Sequence, residues 1–200
     1  MRDLLLIFVK HPLPGQVKTR LASGLGQEKA LAIYGELLIY TRDIVNPLPV
    51  DKAVFYGNEM PAADLWSAAG FLRRQQEGPD LGARMEAAFA WGFEAGYERI
   101  VVIGSDCAWL NGAILQEAFE QLGENDSVIG PATDGGYYLL GLRMLFPPVF
   151  YDKNWSTETI FTDTMDDLEA GGKSVFVLPA LSDVDVAEDL RGTFLEKYLN

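Results

Sequence analysis

The residues able to do chemistry fall into four stretches, and the first is the most basic. Lys10-His11-Pro12-Leu13-Pro14-Gly15-Gln16-Val17-Lys18-Thr19-Arg20 combines three cations, two prolines and a glycine. Phosphate oxygens are held by backbone N–H groups and fixed cations, and glycine lets the backbone come close. Lys10, Lys18 and Arg20 would supply the cationic donors, with Thr19 between them, while Pro12 and Pro14 stiffen a loop opened at Gly15. The spacing is not that of a Walker A loop, because no glycine directly precedes Lys18. Gly24-Leu25-Gly26 lacks the third glycine of a dinucleotide fingerprint. A solvated surface loop is the alternative reading, and His11 alone points neither way.

The other three stretches are acidic. Gly104-Ser105-Asp106-Cys107 ends a β-branched run, so Asp106 either holds a hard cation or caps the following loop. Mg²⁺ or Mn²⁺ needs only one or two protein carboxylates beside phosphate oxygens and water. Cys107 reads as a small buried filler, since the chain has one histidine and none left to activate a thiol. In Gly130–Tyr138, Asp134-Gly135 is a hairpin signal, and Asp134 is equally placed to act as a base or a second ligand. Asp183-Val184-Asp185 sets two acids on one side of an extended segment, where they repel unless a cation lies between them. Asp185 capping a terminal helix is the alternative. Trp155–Glu158 reads as a helix start or a lip over substrate, and Glu77–Met85 as a turn and cap or, as the second choice, a site loop.

The elements that must position these residues alternate strand and helix. Strands are expected at Leu4–Lys10, Lys52–Tyr56, Phe71–Gln75, Arg99–Gly104, Ser127–Pro131, Tyr137–Leu142 and Lys173–Leu178. Helices are expected at Gln27–Ile44, Ala62–Ala69, Leu81–Ala95 (capped by Asp80), from Asn111 to Leu122, at Thr157–Ala170 and at Ala187–Leu199. A polar loop is expected from the first strand to about Gly24. Such alternation implies one α/β domain over 1–200, with a mostly parallel sheet whose ligands bind beyond the carboxyl ends of the strands.

Composition narrows the partners. Apolar residues make up 48% and charged residues 22% of the 200, an ordinary globular balance. The net charge of −13 disfavours nucleic acid and anionic membrane. Residues 1–27 nevertheless carry Arg2, Lys10, Lys18 and Arg20 against Asp3 alone, a basic island suited to a small anionic ligand. No apolar run reaches the roughly 18 residues that cross a bilayer, and one cysteine excludes an intrachain disulfide, so a cytoplasmic protein is expected. Phe146–Tyr151, Trp91 and Phe93 could cover an oligomer interface or the core.

Lys10–Leu21, Gly82–Met85, Gly104–Asp106, Gly130–Gly141 and Asp183–Leu190 resemble, in this order, the motifs of the bacterial DUF2064 proteins, assigned to the GT-A or nucleotide-diphospho-sugar transferase superfamily. The resemblance implies a Rossmann-like, three-layer α/β/α GT-A fold whose first loop, with Gly82, embraces a nucleotide. Asp106 would match the superfamily's DXD-type metal-binding aspartate. Cys107 stands where a full motif has its second acid, so Asp183 or Asp185 would complete the Mg²⁺ or Mn²⁺ site. The implied reaction is transfer from a nucleotide sugar to a small-molecule acceptor, with Lys18 and Arg20 steadying the leaving diphosphate and Asp134 deprotonating the acceptor. The first loop and the Asp-Val-Asp ending are also similar to phospholactate guanylyltransferases, and the ending to molybdenum-cofactor nucleotidyltransferases. Nucleotidyl transfer from an NTP to a phosphorylated acceptor is therefore the runner-up, and a non-catalytic nucleotide sensor the third reading.

Overall fold

A computed structural model describes residues 2–155 and 157–199. Seven strands form one sheet: β1 (Asp3–Val9), β2 (Asp51–Tyr56), β3 (Leu72–Gln75), β4 (Arg99–Ile103), β5 (Ser127–Pro131), β6 (Tyr137–Leu142) and β7 (Val175–Val177). Their order is β3-β2-β1-β4-β6-β5-β7. Only β6 runs against the rest, antiparallel to β4 and β5. Among the described residues six α-helices accompany them: α1 (Thr19–Leu25), α2 (Gln27–Val45), α3 (Leu65–Ala68), α4 (Leu81–Glu94), α5 (Gly112–Gln121) and α6 (Ile160–Ala170).

The central strands read as continuous apolar runs because both of their faces are covered. Side chains alternate across a strand, so β1 serves two cores. Leu5, Ile7 and Val9 pack with Tyr34 and Leu38 of α2 and Leu115 and Phe119 of α5. Leu4 and Leu6 pack on the other side with Met85 and Phe89 of α4 and Leu168 of α6. The sheet thus lies between two helical layers, as expected.

A third apolar cluster matters most for function. Leu21 of α1, Ile33 and Leu37 of α2, Ala108 after β4, and Val184, Leu190 and Leu195 near the carboxyl terminus are all buried together. Three segments distant in sequence are thereby clamped side by side, and each carries a charged residue within two positions of a buried one: Arg20 beside Leu21, Asp106 two before Ala108, and Asp183 and Asp185 flanking Val184.

Two local expectations fail. Part of the loop expected after β1 is helix α1, which begins without a side-chain cap after Lys18. The expected helix Ala187–Leu199 is instead two 3₁₀ turns, Ala187–Leu190 and Glu196–Leu199. Between them Thr193 Oγ1 donates to the Leu190 carbonyl and accepts from the Leu195 N–H, while Glu196 accepts from the Gly192 N–H. These local side-chain bonds replace the helical ladder.

Candidate functional site

The loop after β1 is anchored first. Asn58, just past β2, accepts from the His11 N–H at 2.6 Å and donates to the His11 carbonyl at 3.0 Å. Tyr34 of α2 accepts from the Lys10 N–H at 2.9 Å, and its hydroxyl lies 3.3 Å from Ser105 Oγ. The carboxyl ends of β1 and β4 are therefore tied through one buried phenol. Burial pushes that phenol above its ordinary value, and nearby Asp106 adds to the shift.

Lys18 then turns inward. Its backbone is left-handed, at φ 47° and ψ 46°. For a residue with a Cβ this costs on the order of 1–2 kcal/mol, so the surroundings must over-determine it. The side chain is 4% exposed, and its ammonium meets Asp106 Oδ2 at 3.0 Å, the Val184 carbonyl at 2.7 Å and Asp185 Oδ1 at 3.4 Å. Burial alone would lower the pKa of Lys18, but Asp106, Asp185 and Asp183 outweigh it and hold the ammonium above its ordinary value. Arg20 Nη1 lies 3.5 Å from Asp185 Oδ2.

The acids arrive from two other segments. Asp106 follows β4. After β7 the chain stays beside β5, bonding Thr133 N–H to the Leu181 carbonyl at 2.9 Å and Thr133 Oγ1 to Ser182 Oγ at 3.0 Å. It then crosses to Asp106, whose carbonyl accepts from the Val184 N–H at 3.0 Å. Asp183 is left facing other acids. Burial, then Asp106, Asp134 and Asp185 push it up to about 7, with Lys18 the one opposing influence. Asp185 is not a helix cap: Asp189 instead accepts from the N–H groups of Asp185 and Val186, both at 2.8 Å.

These groups line one cleft of about 880 Å³ beyond the carboxyl ends of β1 and β4. Lys10, Lys18, Thr19, Arg20, Asp106, Asp134, Asp183 and Asp185 all border it. So do Tyr34 and Gln76, which carry no sequence signal for a site, and Arg84 and Tyr137, which lie in stretches singled out without a role for either. Tyr34 sits at helical core spacing, so nothing marked it. Arg84 lies within Glu77–Met85, read first as a turn and cap and second as a site loop. Trp155, Thr157 and Glu158 also border it.

Pro12, Gly15 and Gly82 do not border the cleft. The Asn58 anchor folds the middle of the first loop away, and a Cβ on Gly15 would meet Gln27. Gly82 is a packing position: a Cβ there would lie 2.3 Å from the Phe150 carbonyl oxygen and 2.6 Å from the Trp155 ring. The Asp134-Gly135-Gly136 turn closes the β5–β6 hairpin. Gly135, at φ +90°, presses on the Glu158 backbone, where a Cβ would come within 2.0 Å of the carbonyl oxygen. One Asp134 oxygen accepts from the Gly136 N–H at 2.9 Å.

Cys107 is buried, and burial first, with Asp183 next, pushes its thiol up to about 12. That is no nucleophile at neutral pH. Among the described residues no three His, Cys, Asp or Glu side chains form a ready cation cage. The acids instead face the Lys18 ammonium. No helix among the described residues is long and apolar enough to cross a membrane.

A crystal structure of a candidate nucleotide-diphospho-sugar transferase from Desulfovibrio desulfuricans G20 is similar throughout, with 31% identity and a TM-score of 0.88, covering 100% of this chain and 94% of that one. At the level of fold alone, 4-diphosphocytidyl-2C-methyl-D-erythritol synthase from Anaerococcus prevotii is also similar (11% identity, TM-score 0.60, 99% and 96% covered). So is glucosyl-3-phosphoglycerate synthase from Mycobacterium tuberculosis, crystallised with Mn²⁺, UDP and glucosyl-3-phosphoglycerate (9% identity, TM-score 0.54, 91% and 70% covered). No curated protein sequence matches the chain. The model of DUF2064, described as uncharacterised proteins conserved in bacteria, matches residues 42–157, more than half of the chain, and the protein belongs to that family.

Proposed function

We propose that this protein is a transferase that takes a nucleotide-diphospho-sugar as donor and works with Mg²⁺ or Mn²⁺. The observation that carries the reading is the meeting of Lys18, Asp106 and Asp185, from three separate segments, at the strand ends where α/β sheets bind ligands. The Desulfovibrio relative, similar over 94% of its length, supports the same donor class.

The carboxylates fit a hard cation. Asp106 and Asp185 side chains are 44% and 43% exposed, and both accept from Lys18 without being enclosed. Burial first, then the neighbouring Asp106, holds Asp183 protonated to unusually high pH. All three offer the oxygen ligands that Mg²⁺ and Mn²⁺ select. Held there, such an ion would neutralise charge growing on the leaving diphosphate.

The chain's own groups do the rest. Lys18 and Arg20 lie beside these acids and would pair with the donor's phosphates, strengthening as negative charge develops. Lys10 on the cleft edge extends that basic strip. Asp134 borders the same cleft, one residue from the Gly135 that packs on Glu158, and its oxygen not held by Gly136 would take the proton of an acceptor hydroxyl. The acceptor we propose is a small molecule entering the same cleft.

Nucleotidyl transfer from an NTP is the second reading. Lys10, Arg20 and Arg84 all border the cleft and, among the described residues, make no close ion pair there except the long Arg20–Asp185 contact, which suits a triphosphate. Hydrolysis of UDP- and GDP-sugars, set against pyrophosphate release from NTPs with phosphorylated acceptors, separates the two. Turnover in neither assay, with tight nucleotide binding, would make the protein a sensor.

A further inference from the structure

The Lys18 ammonium has three N–H donors and faces three oxygens: a main-chain carbonyl on Val184 and one carboxylate oxygen each on Asp106 and Asp185. Nothing in this arrangement is loose. The side chain is almost wholly buried, and its left-handed backbone is held by the neighbouring apolar clamp of Leu21, Ala108 and Val184. Strained backbone of this kind persists where the surroundings impose it, often at switch positions. The ammonium thus occupies the inner side of the carboxylates that a divalent cation would need.

We infer that Lys18 is a displaceable counter-ion: it holds the acids in the nucleotide-free protein, and the divalent cation enters only together with phosphates that take over the Lys18 ammonium. This rests on the nucleotide and metal reading given above. Two cations sharing the same carboxylate oxygens repel each other in a half-buried site, so a metal ion arriving alone must weaken the lysine's ion pairs. A diphosphate changes the balance by offering Lys18 new anionic partners a short distance away. Asp106 and Asp185 are then released to the metal. Binding of metal and of nucleotide becomes mutually dependent, and by linkage each must raise the other's affinity by the same factor.

Mn²⁺ binding tests this without any turnover. The full-length protein is titrated with Mn²⁺ while the EPR signal of free ion is followed, alone and with UDP or GDP, after correction for Mn²⁺ held by free nucleotide. For the wild type, Mn²⁺ affinity should rise about ten-fold or more when the nucleotide is present. Lys18→Met and Lys18→Gln, checked for folding by circular dichroism, should bind Mn²⁺ alone about ten-fold more tightly than wild type, and their nucleotide coupling should fall toward unity. Folded variants that bind Mn²⁺ alone no more tightly than wild type overturn the inference while leaving the proposed function standing. Should the variants not fold, the wild type decides: Mn²⁺ and nucleotide that bind independently of each other overturn it equally. If the wild type binds no Mn²⁺ with or without either nucleotide, the metal reading fails and takes the inference with it.

Discussion

Lys18 Nζ lies 3.0 Å from Asp106 Oδ2, joining the loop after the first strand to the end of the fourth. Apolar packing makes this contact possible. Leu21, Ala108 and Val184 share one buried cluster, and each lies two or three residues from a charged side chain of the cleft, or next to one. Burying the Lys18 ammonium costs solvation that offsets much of what the pair gains, so the pair follows from the clamp and does not create it.

Asp106→Asn keeps the side chain's shape and removes its charge. It should cut transferase turnover by about 10²–10³-fold, the cost of losing one electrostatic stabiliser in a transition state. Circular dichroism and sugar-nucleotide hydrolysis on the same preparation check this. Unchanged turnover would remove Asp106 from the chemistry.

Much of this was legible in the sequence, and what was not has physical causes. Val101, Val102 and Ile103 mark a strand covered on both faces, and Asp80 and Asn111 cap α4 and α5 as their types suggest. The converging charges were also visible, since polar residues just after strands lie on the sheet's ligand edge. Helix α1 was hidden because its N-cap is a left-handed lysine with no side-chain capping bond. Tyr34 was hidden because a buried tyrosine at helical spacing looks like core, and its hydroxyl bonds to Lys10 and Ser105 exist only in three dimensions. Gly82 was misplaced because a glycine near a helix start is equally a ligand contact or a packing gap. Only the nearness of Phe150 and Trp155 decides for packing.

Asp183 gives the cation-free protein a distinctive pH response. Its folded-state pKa is raised from 3.8 to about 7, so between those values the folded protein holds a proton that the unfolded chain has released. Stability contributed by this group therefore falls as pH rises from about 4 to about 7. In EDTA, Asp183→Asn should flatten that decline and raise the melting temperature at pH 8. Thermal scans from pH 4 to 8 check it, and an unchanged slope would contradict the assignment.

Gly82→Ala should destabilise the protein by about 1–3 kcal/mol, because its methyl group meets a carbonyl oxygen and an indole ring with no room to yield. Gly135→Ala should cost more, since strain at φ +90° adds to a contact with the Glu158 backbone. Urea unfolding measures both. A neutral Gly82→Ala would mean that the helix and the Trp155 wall separate easily.

Cys107 should resist alkylation. With its thiol buried and pushed up to about 12, iodoacetamide at pH 8 should modify the native protein on the order of a hundred-fold more slowly than the urea-unfolded chain. Mass spectrometry over a time course reads this directly, and comparable rates would show that the end of β4 opens readily.

Anomalous diffraction from a crystal soaked with Mn²⁺ and UDP or GDP tests the shared cleft most directly. The account predicts a Mn²⁺ peak against Asp106 and at least one of Asp183 and Asp185, with the nucleotide's phosphates beside Lys18 and Arg20. Nucleotide bound elsewhere, or phosphates in the cleft with the metal remote from all three acids, would contradict it.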